Sequence, residues 1–266
     1  MSLPVAVAQF AAGLDKQENL KFVSEGIKAA ADRGARLVVT PEFGMYHDPA
    51  KESEDTSYPE PLDGPWLSSV REVVRDAGVH AVVGFAERLP EESRAANTVV
   101  AIAPDGSFSA LYRKVHLYDA FGYRESDTVV PAEITDPATF ELDGFTFGIQ
   151  TCYDIRFPES SRRLVDGGAD ALLVPAAWAA GPVKEEHWLT LLKARAIENT
   201  SYLLAAGQTG PHCTGQSVIL DPMGVVLAGA GEAPGTAVAD LDPARIQSVR
   251  GRNPALENRR FRVVPT

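Results

Sequence analysis

The sequence predicts an α/β protein layered helix, sheet, sheet, helix, with two similar halves. Two observations carry this. Short apolar runs of strand length interleave along the chain with segments whose apolar residues recur at helical spacing. The segment 34–41, Gly-Ala-Arg-Leu-Val-Val-Thr-Pro, is echoed by 168–175, Gly-Ala-Asp-Ala-Leu-Leu-Val-Pro, and each follows a helix that itself follows a strand ending near a glutamine, Gln9 or Gln150. Two β-rich halves with helices on one side of each bury their apolar faces best by stacking sheet on sheet. At roughly 150 residues per domain, 266 residues fit either one large domain or two modest ones. Stacked halves favour a single domain over residues 1–266.

Residues 4–10 form a short buried strand. Residues 19–33 carry Leu20, Val23, Ile27 and Ala30 at helical spacing until Gly34 stops the helix. Residues 36–40 are the next strand. A helix over 65–77 places Trp66, Val70, Val73 and Val74 on one side; strands at 79–86 and 98–103 and a Pro104-Asp105-Gly106 turn follow. Asp143-Gly144, set between Phe140-Glu141-Leu142 and the run 145–149, predicts a type I′ hairpin, which needs positive φ at both central residues. Next come a helix over 159–165, a strand over 171–174 and an amphipathic helix over 185–198. Strands at 202–206, 217–220 and 225–228 complete the set, the last two joined by Asp221-Pro222-Met223-Gly224. The glycine-rich run 229–235 has the wrong spacing for a phosphate loop and leads toward another strand, so it reads as a turn.

Composition removes several classes of function. At 45% hydrophobic and 23% charged residues the chain is ordinary for a globular protein. Its length lets it bury about 70–75% of the unfolded surface without disulfide or metal support. With 36 acidic against 25 basic residues the net charge is −11, the wrong sign for nucleic acid or an anionic membrane. No apolar run approaches the ~20 residues that span a bilayer. The start, Met1-Ser2-Leu3-Pro4, lacks a basic n-region and an apolar h-region, so a cytoplasmic location is expected. Cys152 and Cys213 have neither disulfide-framework nor zinc-site spacing, and the five histidines show no ligand spacing, so no metal is expected. Cys213, in a loop, reads as structural.

Three residues stand out as carriers of chemistry. Cys152 sits directly after the strand 145–150 and before a helix, an elbow that would present a nucleophile beside the next backbone N–H; a buried inert thiol is the alternative. Glu42, in Thr40-Pro41-Glu42-Phe43-Gly44, follows a core strand between apolar neighbours, where a carboxylate stripped of water suits proton transfer; an exposed loop acid is the alternative. Lys114 follows another strand and could bind an oxyanion and depress a nearby thiol pKa, unless it is simply solvated. Each follows a different strand, and adjacent strand ends converge in space.

The motifs Pro41-Glu42-Phe43, Tyr112-Arg113-Lys114-Val115-His116-Leu117 and Cys152-Tyr153-Asp154-Ile155-Arg156-Phe157-Pro158-Glu159, in that order, make the whole chain resemble the nitrilase superfamily of carbon-nitrogen hydrolases. His187-Trp188, the run 193–199, the Asp221–Gly224 turn and the segment 253–260 add to the resemblance. It implies an α-β-β-α sandwich with a Glu42–Lys114–Cys152 triad, and dimerisation through the outer helices. It also implies that Glu125 orients the lysine and the substrate, although a loop carboxylate paired with Arg124 stays open. Tyr153 would enter through its backbone N–H as an oxyanion donor. Arg156 and Trp178 would border the acyl pocket, with a structural ion pair as the alternative for Arg156.

The implied mechanism passes through a thioester on Cys152 and needs no metal or organic cofactor. The motif around Cys152 is closer to the amidase branches, omega-amidases and deaminated glutathione amidases, than to true nitrilases. A small carboxylate-bearing amide is therefore the expected substrate, and the expected partner is a second copy in a homodimer or larger homo-oligomer. An N-carbamoyl amino acid amidohydrolase or a nitrilase could use the same triad; a catalytically silent scaffold is the remoter alternative. A papain-like hydrolase would need His187 or His212 as its base. The segment 251–266 holds four arginines and one glutamate and is expected to dock as a tail on the domain or a partner subunit.

Overall fold

A strand buried on both faces reads as a nearly continuous apolar run, and β1 (Leu3–Gln9) is such a strand, with partial exposure only at Pro4. The computed structural model describes residues 2–51, 53 and 55–265. Met1 and Thr266, the ends of the expected domain and tail, lie outside the described residues. After β1 the first half continues as α1 (Lys16–Asp32), β2 (Leu37–Val39), α2 (Pro65–Ala77), β3 (His80–Arg88), β4 (Ala95–Ile102) and β5 (Phe108–Arg113). A two-residue-stranded hairpin, β6 (Asp119–Ala120) and β7 (Tyr123–Arg124), leads through a 3-10 turn to the second half. That half runs β8 (Thr139–Leu142), β9 (Phe145–Ile149), α3 (Pro158–Asp166), β10 (Ala171–Ala176), α4 (Lys184–Asn199), β11 (Tyr202–Gly207), β12 (Val218–Leu220) and β13 (Val226–Gly229). The chain ends with β14 (Gly235–Leu241) and α5 (Pro243–Arg252).

The two sheets are topological copies. One runs β14-β1-β2-β3-β4-β5 and the other β8-β9-β10-β11-β12-β13. In both, successive pairs are antiparallel, parallel, parallel, antiparallel, antiparallel. The echoed segments fall on β2 and β10, which hold the same place in their sheets. Parallel neighbours require a crossover, and α1 to α4 supply one between each parallel pair. β14 returns from the second half to close the first sheet beside β1, tying the halves together.

Alternate side chains of each strand face opposite ways, and both faces are covered. Val5, Val39 and Val82 of the first sheet meet Phe147, Leu173 and Leu204 of the second in the inter-sheet core. Ala6, Val38 and Val83 point outward onto Val23 and Ile27 of α1 and Trp66 and Val70 of α2. Leu172 and Leu203 do the same beneath Trp188 and Leu192 of α4. The result is the four-layer α-β-β-α sandwich. The expected β8–β9 turn is present, with φ of 48° at Asp143 and 83° at Gly144.

Two readings differ from the structure. The helix expected to be simply amphipathic, α4, buries Arg195 and Asn199 on its inner face and leaves Ile197 45% exposed. The polar pair is buried because Arg195 reaches the carbonyl of Ile155 at 2.8 Å, and Asn199 donates to the Arg195 carbonyl. Residues 251 and 252, expected to open the tail, are the last residues of α5, whose Asp242 cap accepts the Ala244 N–H. Beyond it, Leu256 packs on the α3/α4 core and Arg259 lies 2.6 Å from Asp166.

Candidate active site

Strand direction brings the site together. β3–β4 and β4–β5 are both antiparallel, so β5 runs the same way as β2, and the residues that follow these two strands emerge at one end of the sheet. Glu42 follows β2 and Lys114 follows β5. The loop carrying Glu42 lies directly on β3: a Cβ at Gly84 would sit 2.9 Å from the Glu42 Cα, so only glycine lets the loop approach. From the second sheet, Gln208 donates to the Glu42 carbonyl at 2.8 Å.

Glu42 and Lys114 are 1% and 2% exposed, and the Lys114 ammonium lies 2.8 Å from Glu42 Oε1. Glu125 completes a buried triangle, with Lys114 Nζ at 2.9 and 3.1 Å from its two oxygens. Glu125 is thus not the partner of Arg124, which lies 3.6 Å from Asp127. Asn97, buried in the otherwise largely apolar β4, donates to Glu42 at 2.7 Å and to Glu125 at 2.9 Å. The remaining lone pairs are met by backbone: Ala177 N–H donates to Glu42 Oε2 at 2.7 Å and Tyr118 N–H to Glu125 Oε2 at 2.6 Å. Burial works against the Lys114 charge, but the Glu125 and Glu42 carboxylates outweigh it and hold its pKa well above the ordinary value. The lysine is therefore a fixed cation.

Cys152 stands at the elbow after β9, at the start of the 3-10 turn Cys152–Arg156, in a left-handed conformation with φ 47°. Such a backbone is costly for a non-glycine residue and persists only where its surroundings impose it. Here they do. Asp154, fully buried, accepts Thr151 N–H at 2.8 Å and the Tyr112 hydroxyl at 2.7 Å, and its other oxygen lies 2.8 Å from His116 Nδ1. Arg195 holds the far end of the turn through the Ile155 carbonyl. The motif containing Lys114 and the motif containing Cys152 are thus bolted to each other through Tyr112, His116 and Asp154.

The thiol of Cys152 is buried, within electrostatic reach of the Glu42 carboxylate. Sequence reasoning expected Lys114 to depress its pKa. Instead the pKa is pushed well above the usual thiol range, first by burial and then by the Glu42 charge, which together overcome Lys114. Lys114 already shares its charge between two carboxylates, so little remains for the sulfur. At neutral pH the group is a thiol aimed at a carboxylate. The charged groups that act on it most strongly are Glu42, Lys114 and Glu125, none of them a histidine.

The other anticipated residues lie around this centre. The Tyr153 N–H is the next amide after Cys152, and its ring packs edge-on against Tyr118 and Phe157. Trp178, 4% exposed and next in the chain to Ala177, stacks under the Arg156 guanidinium at 4.8 Å. Arg156 forms no ion pair within 4.0 Å among the described residues. Cys213 is also buried, and burial followed by the Glu42 charge pushes its thiol up to about 12. Sequence reasoning missed Asn97, whose signal is an amide inside an apolar strand, and Lys184, which donates to the Tyr118 hydroxyl at 2.9 Å.

Comparison with known proteins gives the same picture. Residues 4–251 match the carbon-nitrogen hydrolase family model. A deaminated glutathione amidase of Escherichia coli O157:H7 is 38% identical over 258 residues, covering 97% of both chains. Among solved structures, a nitrilase-superfamily protein of Saccharomyces cerevisiae superposes with TM-score 0.86 at 28% identity, covering 98% of this chain and 97% of that one. An amidase from Nesterenkonia sp. AN1, solved with acrylamide, superposes with TM-score 0.80 at 30% identity, covering 94% and 95%. The chain belongs to the carbon-nitrogen hydrolase family of the nitrilase superfamily.

Proposed function

We propose that the protein is a thiol amidase that releases ammonia from a small carboxylate-bearing amide. The observation that carries this reading is a buried thiol under the influence of a carboxylate that is itself pinned by a buried ammonium. Relatives named as amidases support the reaction class. Glu42 removes the Cys152 proton as sulfur attacks the amide carbon. Negative charge develops on the amide oxygen, and Lys114 with the Tyr153 N–H receives it. As the tetrahedral species collapses, the C–N bond breaks and Glu42 gives its proton to the departing nitrogen, so ammonia leaves and a thioester remains. Glu42 then takes a proton from water, whose oxygen attacks the thioester; the acid is released and the thiol regains its hydrogen. Each cycle consumes one amide and one water. Glu125 holds Lys114 in place between the two carboxylates, and Arg156 and Trp178 border the acyl group.

We further propose that the chain acts as one domain in a cytoplasmic homodimer or larger homo-oligomer, with the segment after α5, 253–266, docking as a tail. No helix among the described residues is long and apolar enough to cross a membrane. Both cysteines are free, as in a reducing compartment. Ile197, Met223, Val225, Val226 and Leu227 are all more than 40% exposed, and a Cβ at Gly224 would lie 2.9 Å from Ile197, so these residues border one apolar face suited to a second copy.

Ammonia release from a panel of dicarboxylic monoamides, N-carbamoyl amino acids and nitriles tests the reaction class. Glu42→Gln keeps the shape and removes the base, and is expected to lower kcat about 10²- to 10⁴-fold. Full activity in this variant would remove Glu42 from the mechanism and reopen a histidine base.

A further inference from the structure

Two carboxylates brought to one buried site do not both stay ionised without help, because one proton held between them relieves their repulsion. Glu42 and Glu125 are such a pair, 1% and 3% exposed. Lys114 sets one positive charge against their two negative ones. The ammonium and the Asn97 amide together close a ring around two carboxylate oxygens. Glu42 Oε1 accepts from Lys114 Nζ at 2.8 Å and from Asn97 Nδ2 at 2.7 Å. Glu125 Oε1 accepts from the same two nitrogens, at 3.1 and 2.9 Å. Ala177 N–H fixes the other oxygen of Glu42, and Tyr118 N–H that of Glu125. The Asn97 hydrogens thus occupy a place between the carboxylates where a shared proton would sit.

The main chain commits Asn97 to the same task. Its carbonyl accepts the Lys114 backbone N–H at 2.9 Å, so one residue locates the root of the lysine and both of its partners. Asn97 stands opposite Ala86 of β3, in a strand whose residues are all buried. Its Oδ1 is buried too and makes no hydrogen bond among the described residues. An unpaired buried acceptor is destabilising, and an apolar side chain would avoid it. The amide therefore earns its place through its two donors. Their neutrality matters as well. A second cation here would bind the Glu42 carboxylate through stronger, charge-assisted bonds and make it a poorer acceptor for the proton it has to take.

We propose that Asn97 is a positioning residue that keeps Glu42 and Glu125 both ionised around a single lysine, by donating a hydrogen to each in place of a proton shared between them. This goes beyond the reaction class and rests on Glu42 as the base. A proton bound to the pair would leave Glu42 unable to accept another, so the acid limb of the activity profile reads the state of the pair. The titratable groups that face the pair from the surrounding elements are Lys114, Cys152, Cys213 and Tyr123. Burial, followed by carboxylate charge, pushes Cys213 and Tyr123 up to about 12 and Cys152 well above the usual thiol range. Lys114 is held well above its ordinary value by the carboxylates, against the effect of burial. None of the four titrates on the acid side, so that limb belongs to the carboxylates.

Asn97→Leu keeps the approximate size and removes both donors. The acid limb of kcat/KM against pH is expected to move upward by about one pH unit or more, a loss of about tenfold below the limb that is recovered above it. Asn97→Asp keeps the shape and adds an acid; it should shift the limb the same way, and it carries the test if Asn97→Leu does not fold. In a Glu125→Gln background no second carboxylate is present to share a proton, so Asn97→Leu should move the limb little. The pH dependence of Cys152 alkylation by iodoacetamide, followed on the Cys152 peptide by mass spectrometry, reads the same base without any amide. Unmoved limbs in both Asn97 variants overturn the proposal, as does a loss of activity that is equal at every pH. A shift that persists undiminished beside Glu125→Gln also overturns it. If no amide yields ammonia yet the alkylation limb moves as described, the amidase reading falls and the role of Asn97 stands.

Discussion

Replacing Cys152 with alanine is expected to lower amide hydrolysis by about 10⁴-fold or more while leaving the fold intact. Water, held by the same Glu42, is a poor substitute for a sulfur nucleophile. The thiol contributes little to stability beyond filling its space, because it is a small group at the edge of the α3/α4 core. Removing it also relieves Glu42 of a partner without leaving a buried charge unpaired, since Lys114, Asn97 and Ala177 N–H still hold that carboxylate. Circular dichroism and thermal melting should therefore be close to those of the unsubstituted protein. Retained turnover would mean that another group attacks the amide.

Lys114→Met is expected to remove both activity and stability. The lysine is the cation that faces two carboxylates buried to 1% and 3% exposure, and Asn97 alone cannot neutralise them. Breaking a buried ion pair from one side typically costs about 3–5 kcal/mol, because the abandoned charge stays out of water. A urea titration should show the loss as a lower midpoint. Adding Glu125→Gln to the variant removes one of the abandoned charges and should recover part of the stability without recovering turnover. A lysine acting only as an oxyanion donor would cost activity alone.

Much of this fold can be read from local pattern. β1, β2, β10 and β11 are buried on both faces and appear as runs of valine, leucine and alanine, while the echo between 34–41 and 168–175 marks the central strands of two matching sheets. Glu42, Lys114 and Cys152 were legible because each interrupts or ends such a run. Asn97 is equally out of place in β4, but its task becomes visible only when β4 lies beside the loop that carries Glu42. Lys184 looks like an ordinary charged residue until its burial singles it out. The direction of the Cys152 shift could not be foreseen for a related reason. A sequence shows that a lysine is available, but burial and the sharing of its charge with Glu125 are properties of the folded site.

Trapping the covalent intermediate tests the central claim most directly. Acid quenching during turnover of a monoamide by the unsubstituted protein, followed by proteolysis and mass spectrometry, should show an acyl group on the peptide carrying Cys152 and ammonia already released. Turnover with no acyl group on Cys152 at any time, or with the label on another residue, would contradict the account.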